Sequence, residues 1–148
     1  MNTVKIVNES KFDLPNYATP GSAGVDLKAN IDTAIEIKPL ERTIVPTGLF
    51  MQIPQGMEGQ VRPRSGLAAK HGISVCNSPG TIDSDYTGEI KIILVNLSNT
   101  AFLVNPGERI AQMVFAKCEQ VDFLTLETVG EFESTERGSG GFGSTGTK

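Results

Sequence analysis

Eleven apolar or alternating runs, each three to eight residues long, recur along most of this chain, and none is long enough for an amphipathic helix. They are Thr3–Val7, Val25–Ala29, Ala34–Ile37, Thr43–Val45, Leu49–Ile53, Gly59–Arg62, Ile73–Cys76, Ile90–Leu97, Ala101–Val104, Ile110–Ala116 and Phe123–Leu126. Val, Ile and Phe dominate them. Pro39, Pro46, Gly48, Pro54, Gly56, Pro106 and Gly107 fall at their ends. Short β-branched runs bounded by turn residues are the signature of an all-β sandwich or barrel. One helical turn is expected, over Ser65–Lys70, where Ser65 can cap and Leu67, Ala68 and Ala69 are good helix formers.

With 148 residues, 39% of them hydrophobic, there is material for one domain with a proper core. A net charge of −4 gives no sign of a general nucleic-acid binder, and no stretch approaches the ~18 apolar residues of a membrane span. The start, Met1 to Ile6, lacks a signal-peptide core. Cys76, Cys118 and the single His71 are too few for a disulfide framework or structural zinc. A cytoplasmic protein with reduced thiols is expected. Residues 1–126 read as the β core, 127–136 as an acidic tether, and 137–148 as a Gly-rich arm.

That arm, Arg137-Gly-Ser-Gly-Gly-Phe142-Gly143-Ser144-Thr-Gly146, is too rich in glycine to fold alone. Such an end is ordinarily a flexible tail. An arginine fork suited to phosphate and a phenylalanine ring argue instead for a lid over a nucleotide. It is no Walker loop, because Ser144 stands where lysine is required and no helix can follow.

Three further segments carry chemistry. Arg62-Pro63-Arg64-Ser65-Gly66 sets two guanidinium groups and a hydroxyl before a helix start, either an ordinary capped turn or an anion site built on free N–H groups. Ile73 to Tyr86 reads as a β-hairpin around Asn77–Gly80, with Asp83 and Asp85 on one face if the backbone is extended. The two acids fit a turn-stabilising cluster, a general base beside a pocket, or a metal pair. In the strand after Gly107, Gln112 is an amide in an apolar run. It needs a partner, whether a backbone group or a ligand oxygen.

With Pro20-Gly21-Ser22-Ala23-Gly24-Val25-Asp26-Leu27, these segments resemble, in order and separation, the five motifs of the trimeric dUTP pyrophosphatases (dUTPases), from about Pro20 to Gly146. The resemblance implies a distorted jelly-roll subunit. It implies a homotrimer whose three sites lie between subunits, each completed by a neighbour's arm. It also implies hydrolysis of dUTP with Mg²⁺ to dUMP and pyrophosphate, which limits uracil in DNA and supplies dUMP for dTMP synthesis. No nucleic acid or membrane partner is implied.

Carried over by position, Asp83 matches the carboxylate that activates the attacking water, and Tyr86 the ring beneath the deoxyribose. Asn77 with the backbone of Gly80, Thr81 and Ile82 matches the reader of uracil, and Lys91 the opposite wall. Arg64, Ser65 and Gly66 match the phosphate-binding triplet, and Gln112 an amide that also reaches the phosphates. Arg137 matches the arm's arginine on the terminal phosphate and Phe142 the ring stacked on uracil, with Gly143 and Ser144 beside it. Asp26 matches the first motif's acid, near the metal's water shell or the trimer contacts. Thr87 stands where many relatives carry arginine or glutamine, and Val25 replaces a common tyrosine.

Three other functions compete with this one. A dCTP deaminase shares the jelly roll, but Asp83-Ser84-Asp85-Tyr86 and the Phe142 arm fit the pyrophosphatase pattern better. A silent nucleotide-binding module of the same fold is disfavoured because a competent residue occupies each proposed catalytic position. Zinc-dependent deamination lacks its His-x-Glu and Cys-x-x-Cys residues.

Overall fold

Alternation of apolar and polar residues builds two antiparallel sheets facing each other in a computed structural model that describes residues 3–142. The strands are β1 (Lys5–Asn8), β2 (Gly24–Lys28), β3 (Ile35–Ile37), β4 (Arg42–Gln52), β5 (Met57–Arg62), β6 (Ile73–Val75), β7 (Gly80–Ile82), β8 (Glu89–Asn96), β9 (Phe102–Val104) and β10 (Arg109–Lys117), with one helix, α1 (Ser65–His71). One sheet runs β1-β4-β8-β6, the other β2-β10-β5-β7, and β3 pairs with β9 alone. This is the β-sandwich that the rhythm of the sequence implies, in the jelly-roll form that the resemblance implies.

The core lies between the sheets. β8 sends Ile90, Ile92, Leu94 and Asn96 inward, and β2 sends Val25 and Leu27. Ile92, Leu94, Leu27 and Met113 are wholly buried. Each such side chain contributes roughly 1.5–3 kcal/mol relative to exposure.

The runs Thr43–Val45 and Leu49–Ile53 belong largely to one strand, β4. Pro46 and Gly48 make an irregularity in its pairing with β8 rather than a turn. Thr47 stitches the gap, its hydroxyl donating to Ile90 O at 2.6 Å and accepting from Leu49 N at 3.2 Å.

Three local expectations need correcting. Ser65 is the first helical residue, not the cap. The cap is Arg64 in extended conformation, with no side-chain bond to the helix. The segment around Asn77–Gly80 is not a hairpin, because β6 pairs with β8 in one sheet and β7 with β5 in the other. It is a crossover between sheets. Finally, Phe123–Leu126 forms no strand. The last strand ends at Lys117, and the chain beyond it finds no partner strand among the described residues. There Val121, Phe123, Leu124, Val129 and Phe132 are all more than 60% exposed, Phe123 at 92%. A single 3-10 turn, Val129–Glu131, interrupts this strap, with the Glu131 carboxylate accepting from Thr128 N at 2.9 Å.

Candidate active site

Register places the first group of site residues in one row. On the outer face of the second sheet, Asp26 of β2 lies opposite Gln112 of β10, which lies opposite Arg62 of β5. Just past β5, Arg64 folds back over this row. Its Nε donates to Asp26 Oδ1 at 2.8 Å, and its Nη1 to the carbonyl of Arg109 at 3.2 Å. Arg109 Nη1 donates to the other Asp26 oxygen at 3.2 Å. Arg109 was not among the residues singled out in the sequence. A guanidinium ahead of an apolar strand is unremarkable until the fold shows what it faces.

Gln112 Nε2 donates to Pro63 O at 2.9 Å, which ties the Arg62-Pro63-Arg64 bend to β10. Its Oε1 packs over Gly24, where a Cβ would come within 2.9 Å. The buried-amide requirement is thus met by backbone, and the amide holds the loop that carries Arg64. In α1 the Ala68 N–H is the first to reach back, to Arg64 O at 3.0 Å. The N–H groups of Ser65, Gly66 and Leu67 precede it and have no intrahelical acceptor. Ser65 and Gly66 are exposed, and a Cβ on Gly66 would meet nothing.

The loop before β2 walls this side. Asp13–Asn16 and Ala18 face Asp26, Lys28 and Arg109 across a cleft of about 400 Å³. The loop is pinned by Phe12, whose ring packs where a Gly107 Cβ would come within 2.7 Å, and by the Lys11–Asp32 ion pair. The hydrogen bond from Lys11, then its charge, hold the Asp32 carboxyl below its ordinary value.

A second group lines the opposite edge of the same sheet. β7 pairs with β5 on one side only, so the outer edge of Gly80–Ile82 keeps backbone donors and acceptors open. Gly80 is buried against Val61, and the Asn77 carboxamide lies over it, 3.1 Å from where a Cβ would stand. Asp83 begins a turn closed by Tyr86 N to Asp83 O at 3.2 Å, so the expected extended display of Asp83 and Asp85 is not formed. Both acids instead face a cleft of about 700 Å³ shared with Gln52, Gln55, Ser84 and Gln120. Tyr86 is anchored through its hydroxyl to Glu89 O at 3.0 Å. Lys91 lies on the outer face of the other sheet, 3.5 Å from Glu89 Oε2.

A third group is the arm. Arg137 Nε donates to Gly140 O at 2.9 Å, within the arm itself. Phe142 is fully exposed. Gly143 and Ser144 lie outside the described residues.

The first two groups do not meet within one chain. Ile82 pairs with Gly59, so Asp83 sits level with Glu58, whereas the Arg64 guanidinium sits level with Arg62 and three strands away. Four residues along and three strands across give roughly 20 Å. That gap is wider than a nucleotide's phosphate chain.

A model of the dUTPase family matches residues 10–146. The deoxyuridine 5'-triphosphate nucleotidohydrolase of Fusobacterium nucleatum is 57% identical over 143 residues, 97% of this chain and 96% of that protein. The enzyme of the same name from Cytophaga hutchinsonii is 58% identical over 144 residues, covering 97% and 92%. Among solved structures, a mutant dUTPase of Staphylococcus bacteriophage 80alpha with dUpNHpp superposes with a TM-score of 0.86 at 26% identity over 99% of both chains. The dUTPase of phage phi11 of S. aureus, studied for its coordination of a structural Mg(II) ion, shares the fold with a TM-score of 0.78 at 22% identity, over 90% of this chain and 100% of that one.

Proposed function

Because the chain belongs to the dUTPase family, we propose that it hydrolyses dUTP to dUMP and pyrophosphate at sites shared between copies of itself. The observation that carries the shared site is the roughly 20 Å between Asp83 and the Arg64 guanidinium, estimated from the register of one sheet. A base-and-water edge and a phosphate edge so far apart act on one nucleotide only if they come from neighbouring chains. A head-to-tail contact that closes into a ring satisfies every copy, and a homotrimer is the ring in view. The exposed apolar strap from Val121 to Phe132 fits the same arrangement, since side chains of that size are rarely left to water without a partner surface.

In this reading the open edge of β7 and the Asn77 amide read the uracil ring by hydrogen bonds, as a pairing base would. The Tyr86 ring underlies the deoxyribose, with Lys91 at the far wall. From the adjoining chain, Arg64, the Ser65 hydroxyl and the free N–H groups around Gly66 hold the phosphates, with Gln112 steadying the loop. Asp83 holds a water in line with the α-phosphorus and takes its proton as the P–O bond forms. The α–β bridging oxygen leaves with the pyrophosphate. Positioning and charge neutralisation carry most of such a reaction. Arg137 meets the charge developing on the leaving group, and Phe142 covers the base with Gly143 and Ser144 alongside.

The substrate is taken as the Mg²⁺ complex of dUTP, the ion supplying charge neutralisation on the phosphates. The chain's donors fit an ion carried in by the nucleotide. Among the described residues no group of three or more His, Cys, Asp or Glu gathers as a cage. Asp26 Oδ2 accepts from both arginines, while Oδ1 accepts from Arg64 alone and keeps a lone pair for a water of the ion's shell. No helix among the described residues is long and apolar enough to cross a membrane. The two free thiols suit a reducing cytoplasm.

Complementation tests the shared site. Asp83→Asn and Arg64→Ala chains, each inactive alone, are unfolded and refolded together. If the two residues come from different chains, some mixed rings contain sites with both intact, and dUTP hydrolysis returns. A mixture as inactive as its parts would place both residues in one chain's site and end this reading.

A further inference from the structure

Arg109 opens β10 at a β-bulge. It pairs with Lys28, while Ala111 pairs with Leu27, so Ile110 is the extra residue. The bulge lets Ile110 and Ala111 both enter the core, at 1% and 0% exposure, and turns Arg109 onto the face of Asp26 and Gln112. Strict alternation would put Ile110 on that face and Arg109 inward. Bulges beside functional sites commonly re-aim a side chain in this way.

Turned outward, Arg109 does two things. Its Nη1 holds Asp26 Oδ2 at 3.2 Å, while Arg64 Nε holds Oδ1 at 2.8 Å, so the carboxylate is fixed against rotation from both sides. Its carbonyl accepts from Arg64 Nη1 at 3.2 Å. Arg64 Nη2 adds a longer contact to Asp26 at 3.5 Å. Of the five guanidinium N–H groups of Arg64, these contacts engage one edge and one flank, leaving one N–H on each terminal nitrogen as an outward fork. Such a fork matches two oxygens of a phosphate.

We propose that Arg109 is a positioning residue for dUTP hydrolysis, fixing the Arg64 fork toward the triphosphate through Asp26 and through its own carbonyl. The inference rests on the reading of Arg64 as a phosphate ligand. The Arg109 side chain acts through the carboxylate, not on the nucleotide.

A double-mutant cycle tests it, using Arg109→Gln, Arg64→Ala and the pair. The readouts are affinity for the non-hydrolysable analogue dUpNHpp, binding of phosphate-free deoxyuridine by NMR shift, and thermal melting. Arg109→Gln is expected to weaken dUpNHpp about tenfold, the size of one lost charge-assisted bond. It should raise KM more than it lowers kcat, and leave deoxyuridine binding unchanged. With Arg64 already removed, Arg109→Gln should cost nothing further. Should Arg109→Gln fail to fold, Arg109→Lys keeps the charge and shows the same pattern to a smaller degree. An equal loss in both backgrounds would mean that Arg109 acts independently of Arg64. A parallel loss of deoxyuridine binding and melting temperature would mean general destabilisation. Either result overturns the proposal. Full dUpNHpp affinity in Arg64→Ala alone would instead refute the Arg64 assignment beneath it.

Discussion

Tyr86 lies across Gly88. Its hydroxyl oxygen stands 2.5 Å, and its Cζ 2.7 Å, from where a Cβ on that glycine would be. The same hydroxyl donates to Glu89 O at 3.0 Å, so the ring is seated by a hydrogen bond on one side and an absent side chain on the other. Gly88 is not among the glycines with positive φ, so alanine there is excluded by contact and not by backbone strain. Gly88→Ala is expected to lift the ring from its seat while the sheets stay intact. If that ring closes the sugar pocket, kcat/KM for dUTP falls about tenfold and the preference over UTP narrows, as when a fitted pocket loses one contact surface. Steady-state kinetics on both nucleotides check this. An unaltered UTP/dUTP ratio would remove Tyr86 from sugar selection.

Gly66 makes the opposite trade. It sits in the first turn of α1, exposed, with nothing near its missing Cβ. Alanine there should stabilise the helix by roughly 0.5–1 kcal/mol. A methyl group at the mouth of free N–H groups would hold a phosphate away from them. Gly66→Ala is therefore expected to melt slightly higher and to bind dUpNHpp at least several-fold more weakly. Calorimetry and a binding titration separate the two effects. Unchanged affinity would leave Gly66 as a helix residue with no part in the phosphate site.

The strands were legible because burial on one face forces alternation, which survives in Ile90–Leu97 and Val25–Ala29 almost residue for residue. Legibility failed where a side chain replaced a backbone pattern. Pro46 and Gly48 read as a break, yet the Thr47 hydroxyl carries β4 straight through them. Asn77–Gly80 reads as the turn of a hairpin, and only the pairing of Gly80–Ile82 with Gly59–Val61 puts the strand after it in the other sheet. The site was legible as an ordered set of motifs but not as a distribution in space. Asp26 and Arg64 are 38 positions apart, Asp26 and Arg109 are 83 apart, and local spacing says nothing of either contact. The bulge that aims Arg109 depends on two consecutive buried residues, a signal visible only once burial is known.

Asn96 is the polar group on which the packing of the small sheet depends. It is wholly buried, with Nδ2 donating to Ile37 O and Thr100 O, each at 2.8 Å, and Oδ1 accepting from Ser98 N at 2.9 Å. It thereby joins β8 to β3 far from either proposed half-site. Asn96→Leu would take this partner from the Ile37 carbonyl and the Ser98 N–H, while Thr100 O keeps the Ser98 hydroxyl at 2.9 Å. The cost is about 1–3 kcal/mol for each group left unpaired and buried. A loss of several kcal/mol in denaturant unfolding is expected, with KM for dUTP nearly unchanged in the folded fraction. A large KM change at unaltered stability would show that Asn96 reaches the site.

The arm should separate catalysis from folding most cleanly. The described hydrogen bonds of residues 137–142 stay within the strap and arm: Arg137 to Gly140, Gly138 to Thr135, and Gly140 to Arg137. Phe142 touches water on all sides. Deleting residues 137–148 is thus expected to leave thermal melting and oligomeric state as they were. If Arg137 neutralises the leaving pyrophosphate, the truncation loses a large part of the roughly 10³–10⁵ in rate that an arginine of this kind supplies in phosphoryl transfer. The point variants should divide the loss. Arg137→Ala should lower kcat, because it acts on charge that develops during the step. Phe142→Ala should chiefly raise KM, since stacking on a base is worth roughly 1–3 kcal/mol and is present before the chemistry begins. Full turnover in the truncated chain would mean that the arm is only a tail.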